Sequence, residues 1–175
     1  GLKGEQVGGA YATPGFMETL GETPFMGRTF MEADAAPDAS PVVIISKDLW
    51  NGFFASDPGI IGKTVTVDGI QRTVIGVASE GFDFPFVNDA WIPLNTDTIR
   101  ELVGWGDAVF VVGKLREGLT PETAGKQLDE AFANVKEILP VENENFTRIE
   151  LTHFKEIFVG RQTRMLFAAM TFCAV

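Results

Sequence analysis

Hydrophobic and polar positions along this chain fall into short blocks whose period switches repeatedly between that of a strand and that of a helix. Residues 6–12 predict a short strand. Thr13 then predicts a helix cap, with Pro14 at the first helical position, Phe16, Met17 and Leu20 on one face, and Gly21 as the stop. Gly27-Arg28-Thr29-Phe30 reads as irregular, and residues 32–41 as an acidic, proline-containing loop. The unbroken run Val42-Val43-Ile44-Ile45 predicts a buried strand, and Ser46 caps a helix whose Leu49, Trp50, Phe53 and Phe54 recur at helical spacing. Residues 63–67 alternate, Asp68-Gly69 supplies a type I′ turn, and residues 70–77 alternate again, which together predict a hairpin.

Further on, Gly81-Phe82-Asp83-Phe84-Pro85 predicts a turn with aromatic anchors, followed by a short strand at residues 90–94. Residues 107–115 form another apolar strand candidate. Thr120-Pro121-Glu122 opens the longest helix, with a cap, a proline suited to the first position and an acid favoured by the helix dipole. Ala124, Leu128, Phe132, Val135 and Leu139 make its apolar stripe, and Pro140 ends it. Residues 146–152 predict a last strand. Residues 165–175 are apolar but for Thr171, too short to cross a bilayer, which takes about 20 apolar residues. With Lys155, Arg161 and Arg164 as a polar collar, this run reads as the start of a truncated transmembrane helix, although its content also suits a C-terminal core helix. The start at Gly1, with nothing like a signal peptide, reads as excised.

Composition narrows the class without naming a chemistry. At 175 residues and 45% apolar content the chain can bury a real core and is not disordered. A net charge of −10 argues against nucleic-acid or anionic-membrane surfaces, which need clustered Lys and Arg. The one cysteine, Cys173, sits in the terminal apolar run, where a thiolate would be poorly solvated. No glycine-rich phosphate loop and no Cys/His metal spacing is present. His153 beside Glu150 or Glu156, and the carboxylates Glu142, Glu144 and Glu150, are the catalytic candidates, but neither set has convergent partners or a calcium-loop spacing. Arg28 suits a bidentate carboxylate, most simply a structural pair with a nearby acid. Phe82, Phe84 and Trp91 suit either ligand stacking or core wedging. The expected assignment is therefore no catalytic, cofactor-binding or metal residue.

The ordered motifs resemble the extracytoplasmic core domain of MacB-like ABC transporter permeases, within the FtsX-like superfamily. They run from Gly15-Phe16-Met17 and Gly27-Arg28-Thr29-Phe30 through Ser46 with Leu49-Trp50, Asp57-Pro58 with Ile61-Gly62-Lys63, and Val74-Ile75-Gly76-Val77. Gly81-Phe82 with Phe84-Pro85, Asp89-Ala90-Trp91-Ile92-Pro93-Leu94, Gly113-Lys114-Leu115 and Gly118-Leu119-Thr120 complete the series. The resemblance implies an α+β, two-lobed domain: a porter-like lobe from residues 1–40 and 104–164, an inserted smaller α/β lobe from residues 41–103, and the start of a membrane helix at residues 165–175. It implies a non-catalytic domain on the periplasmic or extracytoplasmic side of a bacterial inner membrane. Such a domain couples cytoplasmic ATP hydrolysis to export or mechanical work. The implied partners are an ABC ATPase acting through the rest of the permease, a second permease copy, a periplasmic adaptor and the membrane, with no nucleic acid and no cofactor. Two rival readings stand beside it: a membrane-tethered binding module for a peptide, lipid or sugar, and an acidic hydrolase.

Overall fold

The computed structural model describes residues 7–85, 87–95, 111–136 and 151–152. The chain divides into two compact units, Gly1–Lys114 and Leu115–Val175. The first is organised around one mixed sheet. Its strands are β1 (Gly9–Ala12), β2 (Met26–Gly27), β3 (Val42–Ile45), β4 (Thr64–Val67), β5 (Ile70–Val77) and β6 (Ala90–Pro93), and its helices are α1 (Phe16–Leu20) and α2 (Lys47–Gly52). The strand order is β1-β6-β3-β5-β2, with β4 also paired to β5. β1 runs parallel to β6 and β3 parallel to β5, while β6–β3, β5–β2 and β5–β4 are antiparallel. β4 takes the Ile70–Thr73 end of β5 and β2 takes the Gly76–Val77 end, so one long strand serves two short partners.

The sheet buries both faces, which is why β3 reads as a continuous apolar run. Ala12, Ile44, Ile75 and Trp91 point to one side with Met17 of α1 and Phe30. Val43, Ile45, Val74, Val77, Ala90 and Ile92 point to the other with Trp50 of α2 and Ile60. Simple alternation would put Val74 and Val77 on opposite faces. The register instead passes from Val43↔Val74 to Ile44↔Gly76, so Ile75 is an extra residue and the resulting bulge turns Val77 to the same face as Val74.

Local chemistry accounts for most of the expected elements. Ser46 Oγ accepts the Leu49 N–H at 2.9 Å, as an N-cap should, and the Ser46 N–H is itself donated to the Asp89 carbonyl at 2.7 Å. Asp68 and Gly69 both have positive φ, 52° and 76°, which is the type I′ hairpin turn. Three details differ from expectation. Thr13 does not cap α1: its carbonyl takes the Phe16 N–H at 3.1 Å to close a Pro14-Gly15 turn, and Gly15 at φ 79° is the cap residue. Met26–Gly27 pairs with β5 rather than lying in an irregular stretch, and the acidic loop opens with a 3-10 turn at Glu32–Ala35. Residues 111–115 hold no regular structure, and the rest of that expected strand lies outside the described residues.

In the second unit, α3 (Pro121–Lys136) begins where its signals placed it. Thr120 accepts the Thr123 N–H on its hydroxyl at 3.3 Å and the Ala124 N–H on its carbonyl at 2.9 Å. Ala124 is buried and Leu128 and Phe132 are half-buried, while Val135 and Leu139 fall outside the described side chains. Leu151 and Thr152 are in no strand, and residues 146–150 are not among those described.

The expected boundary between residues 40 and 41 does not separate two sheets among the described residues. β1 and β2, from one side of it, are hydrogen-bonded to β6 and β5 from the other. The pairing of residues 104–164 with residues 1–40 reaches largely into residues that are not described. The expected membrane helix at 165–175 lies outside the described residues altogether. No helix among the described residues is long and apolar enough to cross a membrane.

Candidate functional site

One recess of the first unit, among the described residues, lies between two strands far apart in the sheet order. A groove of about 360 Å³ is lined by Gly9, Ala10 and Tyr11 of β1, by Thr66 and Val67 of β4 with Asp68 of the turn, and by Ala90 and Ile92 of β6. A second recess of about 130 Å³ shares Val7, Thr66, Val67 and Ala90 with it and is walled by Leu49 of α2 and by Phe53 and Phe54. The paired residues Val67 and Ile70 at the end of the hairpin carry the Asp68-Gly69 turn, which places Asp68 at the groove. Phe53 and Phe54 pack edge to face at 5.0 Å, giving the second recess an aromatic wall. The side chains of the groove's lining offer two hydroxyls and one carboxylate, and its exposed lining is about as polar as it is apolar, whereas the second recess is mainly apolar. Among the described residues the groove's lining brings together no nucleophile with a base.

Arg28 makes the structural pair that its type allowed. Its Nη1 and Nη2 donate to Asp34 at 2.6 and 2.9 Å, and Asp34 Oδ2 also accepts the Met31 N–H at 2.7 Å. The Arg28 hydrogen bond holds the Asp34 carboxyl below its ordinary value against the opposing effect of burial, and the Met31 N–H adds to it. The same bond raises Arg28. Thr29 Oγ1 donates to Glu18, so this segment is tied both to the 3-10 turn and to α1.

The aromatic anchors form a packed cluster rather than an open stacking platform. Trp91 is fully buried, donates Nε1–H to the Phe84 carbonyl at 2.9 Å and lies 5.1 Å from Phe82. Phe16 of α1 stacks on Phe84 at 5.7 Å. Glu142, Glu144, Glu150, His153, Glu156 and Cys173 lie outside the described residues, and the described residues contain no cluster of three metal-ligating side chains. The sequence did not disclose the groove, because β1 and β4 are brought together only by the order of the sheet. It also gave no sign of Arg72, a charged residue in β5 that is buried.

The order of motifs defines the class: this is a periplasmic-type core domain. The chain belongs to the MacB-like periplasmic core domain family, whose model matches residues 1–131. Among solved structures it is similar to the periplasmic region of MacB from Actinobacillus actinomycetemcomitans, with 19% identity and a TM-score of 0.49 over 71% of this chain and 55% of that one. It is also similar to the extracellular domain of the noncanonic ABC-type transporter YknZ from Gram-positive bacteria, with 21% identity and a TM-score of 0.43 over 69% of this chain and 62% of that one. A domain of a permease protein from Porphyromonas gingivalis aligns with 18% identity and a TM-score of 0.46 over 87% of this chain and 72% of that one. The chain thus spans little more than half the length of the first of these structures. No curated protein matches it by sequence.

Proposed function

We propose that this domain couples a cytoplasmic ATPase to work outside the membrane, moving with the permease that carries it and making or breaking no bonds itself. The observation that carries the reading is the family match over residues 1–131. In this reading the domain sits on the outer side of a bacterial inner membrane and continues at residues 165–175 into a membrane helix. The ATPase acts on it through the membrane part of the permease, a second permease copy completes the transporter, and a periplasmic adaptor is a further partner. Coupling of this kind is a difference in position between nucleotide states, to which both the ATPase and the exported substrate are linked.

The test combines sidedness with dependence on the domain. Val87 is 80% exposed, so Val87→Cys offers a reporter thiol, in a Cys173→Ser background. A membrane-impermeant maleimide added to spheroplasts should label it in the permease, and deleting the domain should stop transport while the ATPase still binds nucleotide. Labelling only after lysis, or transport that persists without the domain, would overturn the reading.

A second reading, a tethered binding module for a peptide or lipid, draws on the apolar groove beside Phe53 and Phe54. It predicts a ligand retained by the isolated domain, which the coupling reading does not require.

A further inference from the structure

Asn51-Gly52 is the one asparagine–glycine step in the chain. Asn88, Asn95, Asn134, Asn143 and Asn145 are each followed by a residue that carries a side chain. The pair closes α2, a helix of six residues, and both Asn51 and Gly52 are exposed. A helix so short is held by packing, here through the buried Trp50, rather than by its own hydrogen bonds. Neither space nor conformation calls for the glycine: a Cβ on Gly52 would meet nothing within 4 Å, and its backbone is helical. The Asn51 side chain, by contrast, is held. Its Oδ1 accepts the Ser56 Oγ–H at 2.8 Å, and Ala55 and Ser56 both take left-handed conformations, at φ 52° and 55°. The Ser56 N–H is donated to the Trp50 carbonyl at 3.0 Å, so the chain turns back on the end of α2 and delivers that hydroxyl to Asn51.

We propose that Asn51 is a site of spontaneous deamidation, a one-way modification whose rate is set by opening of the last turn of α2. Within a helix the backbone N–H groups line up with the axis, out of reach of the preceding side chain. Once the turn opens, no Cβ at position 52 crowds the approach. The Gly52 nitrogen attacks Asn51 Cγ, the Cγ–Nδ2 bond breaks, and ammonia leaves with the proton from the Gly52 nitrogen. Water then opens the succinimide ring at either carbonyl, leaving an aspartyl or an isoaspartyl residue. The Ser56 hydrogen bond must break before the side chain can swing, so it restrains the reaction. The product carries a carboxylate in the last turn of α2, where the helix dipole disfavours it and Asp48, three residues earlier, is a like-charged neighbour. The isoaspartyl form also adds a methylene to the backbone just before Phe53 and Phe54, the aromatic wall of the second recess.

The test is peptide mass mapping of the folded 175-residue chain, aged at neutral and mildly alkaline pH, with thermal melts of fresh and aged protein. The peptide holding Asn51 should convert to paired aspartyl and isoaspartyl products while the other asparagines remain amides. Gly52→Ala should slow the conversion about tenfold, because its Cβ hinders ring closure and favours the helix. Ser56→Ala should speed it about threefold, the worth of one released hydrogen bond. Aged protein should melt below fresh protein. Asn51→Gln, whose longer side chain closes a ring far more slowly, should melt like the fresh parent and stay there on ageing. An Asn51 peptide that converts no faster than the other asparagines, equal rates in Gly52→Ala and the parent, a slower rate in Ser56→Ala, or aged protein that melts with the fresh would each overturn the proposal.

Discussion

At the scale of single residues, the tightest constraint is the cross-strand pair Gly27↔Gly76. A Cβ on Gly27 would lie 2.2 Å from the Ile75 carbonyl oxygen, and one on Gly76 would lie 2.5 Å from the Arg28 carbonyl oxygen. Arg28 N–H bonds that same Ile75 carbonyl at 2.9 Å, so the backbones must touch for β2 to dock. Gly27→Ala should therefore cost about 2–4 kcal/mol by thermal melt, combining a φ of 80° with a backbone clash. Gly69→Ala has an equally positive φ but open space around it, and should cost only about 1 kcal/mol. Equal losses at the two positions would show that conformation alone, and not the close approach, sets the requirement. Asp34 makes a second residue-level prediction, through pH. Its folded-state carboxyl is held below the ordinary 3.8, so the stability it contributes is present above that value and lost as pH falls through the lower folded value. Because the Arg28 side chain is 41% exposed, the pair is worth only about 1 kcal/mol. Denaturant titrations of Asp34→Asn should show a flatter pH dependence than the parent between about pH 5 and about pH 2, and parallel curves would contradict this.

At the scale of elements, signals within a few residues were legible and pairings across the chain were not. Ser46 as a cap, Asp68-Gly69 as a turn and Thr120-Pro121 as a helix start each rest on local geometry that a residue type dictates, and each is where its chemistry placed it. The Pro14-Gly15 turn shows the limit, since Thr13-Pro14 fits a cap equally well and only the left-handed Gly15 decides against it. The parallel partnership of β1 with β6 joins residues 9–12 to residues 90–93, and no local pattern announces it. The bulge at Ile75 and the groove between β1 and β4 follow from that sheet and were hidden for the same reason. β3 sits between β5 and β6, and its Ile44 is fully buried. Ile44→Ala should cost about 2–5 kcal/mol. Hydrogen exchange should speed up together in β1, β5 and β6, because one sheet joins them. Retained protection in β1 alone would mean that residues on the two sides of position 40 open independently.

At the scale of the whole molecule, what the sequence disclosed was membership, carried by the succession of turn glycines and core aromatics rather than by any reactive group. Those residues proved to be structural: Trp50 donates to the Asp57 carbonyl at 2.9 Å, Trp91 to Phe84, and Gly27 lets β2 reach β5. The candidate site was not legible, because its lining from β1, the β4–β5 turn and β6 is brought together only by the order of the sheet. In the proposed function the domain changes position with the nucleotide state of its transporter. Thr64, exposed on β4, is suited to report it. Thr64→Cys in a Cys173→Ser background would be spin-labelled in the assembled permease, and the distance between the labels on two copies measured by double electron–electron resonance. The distance distribution should shift between the nucleotide-free and ATP-trapped transporter, and an identical distribution in both states of a transporter that still exports would contradict the account.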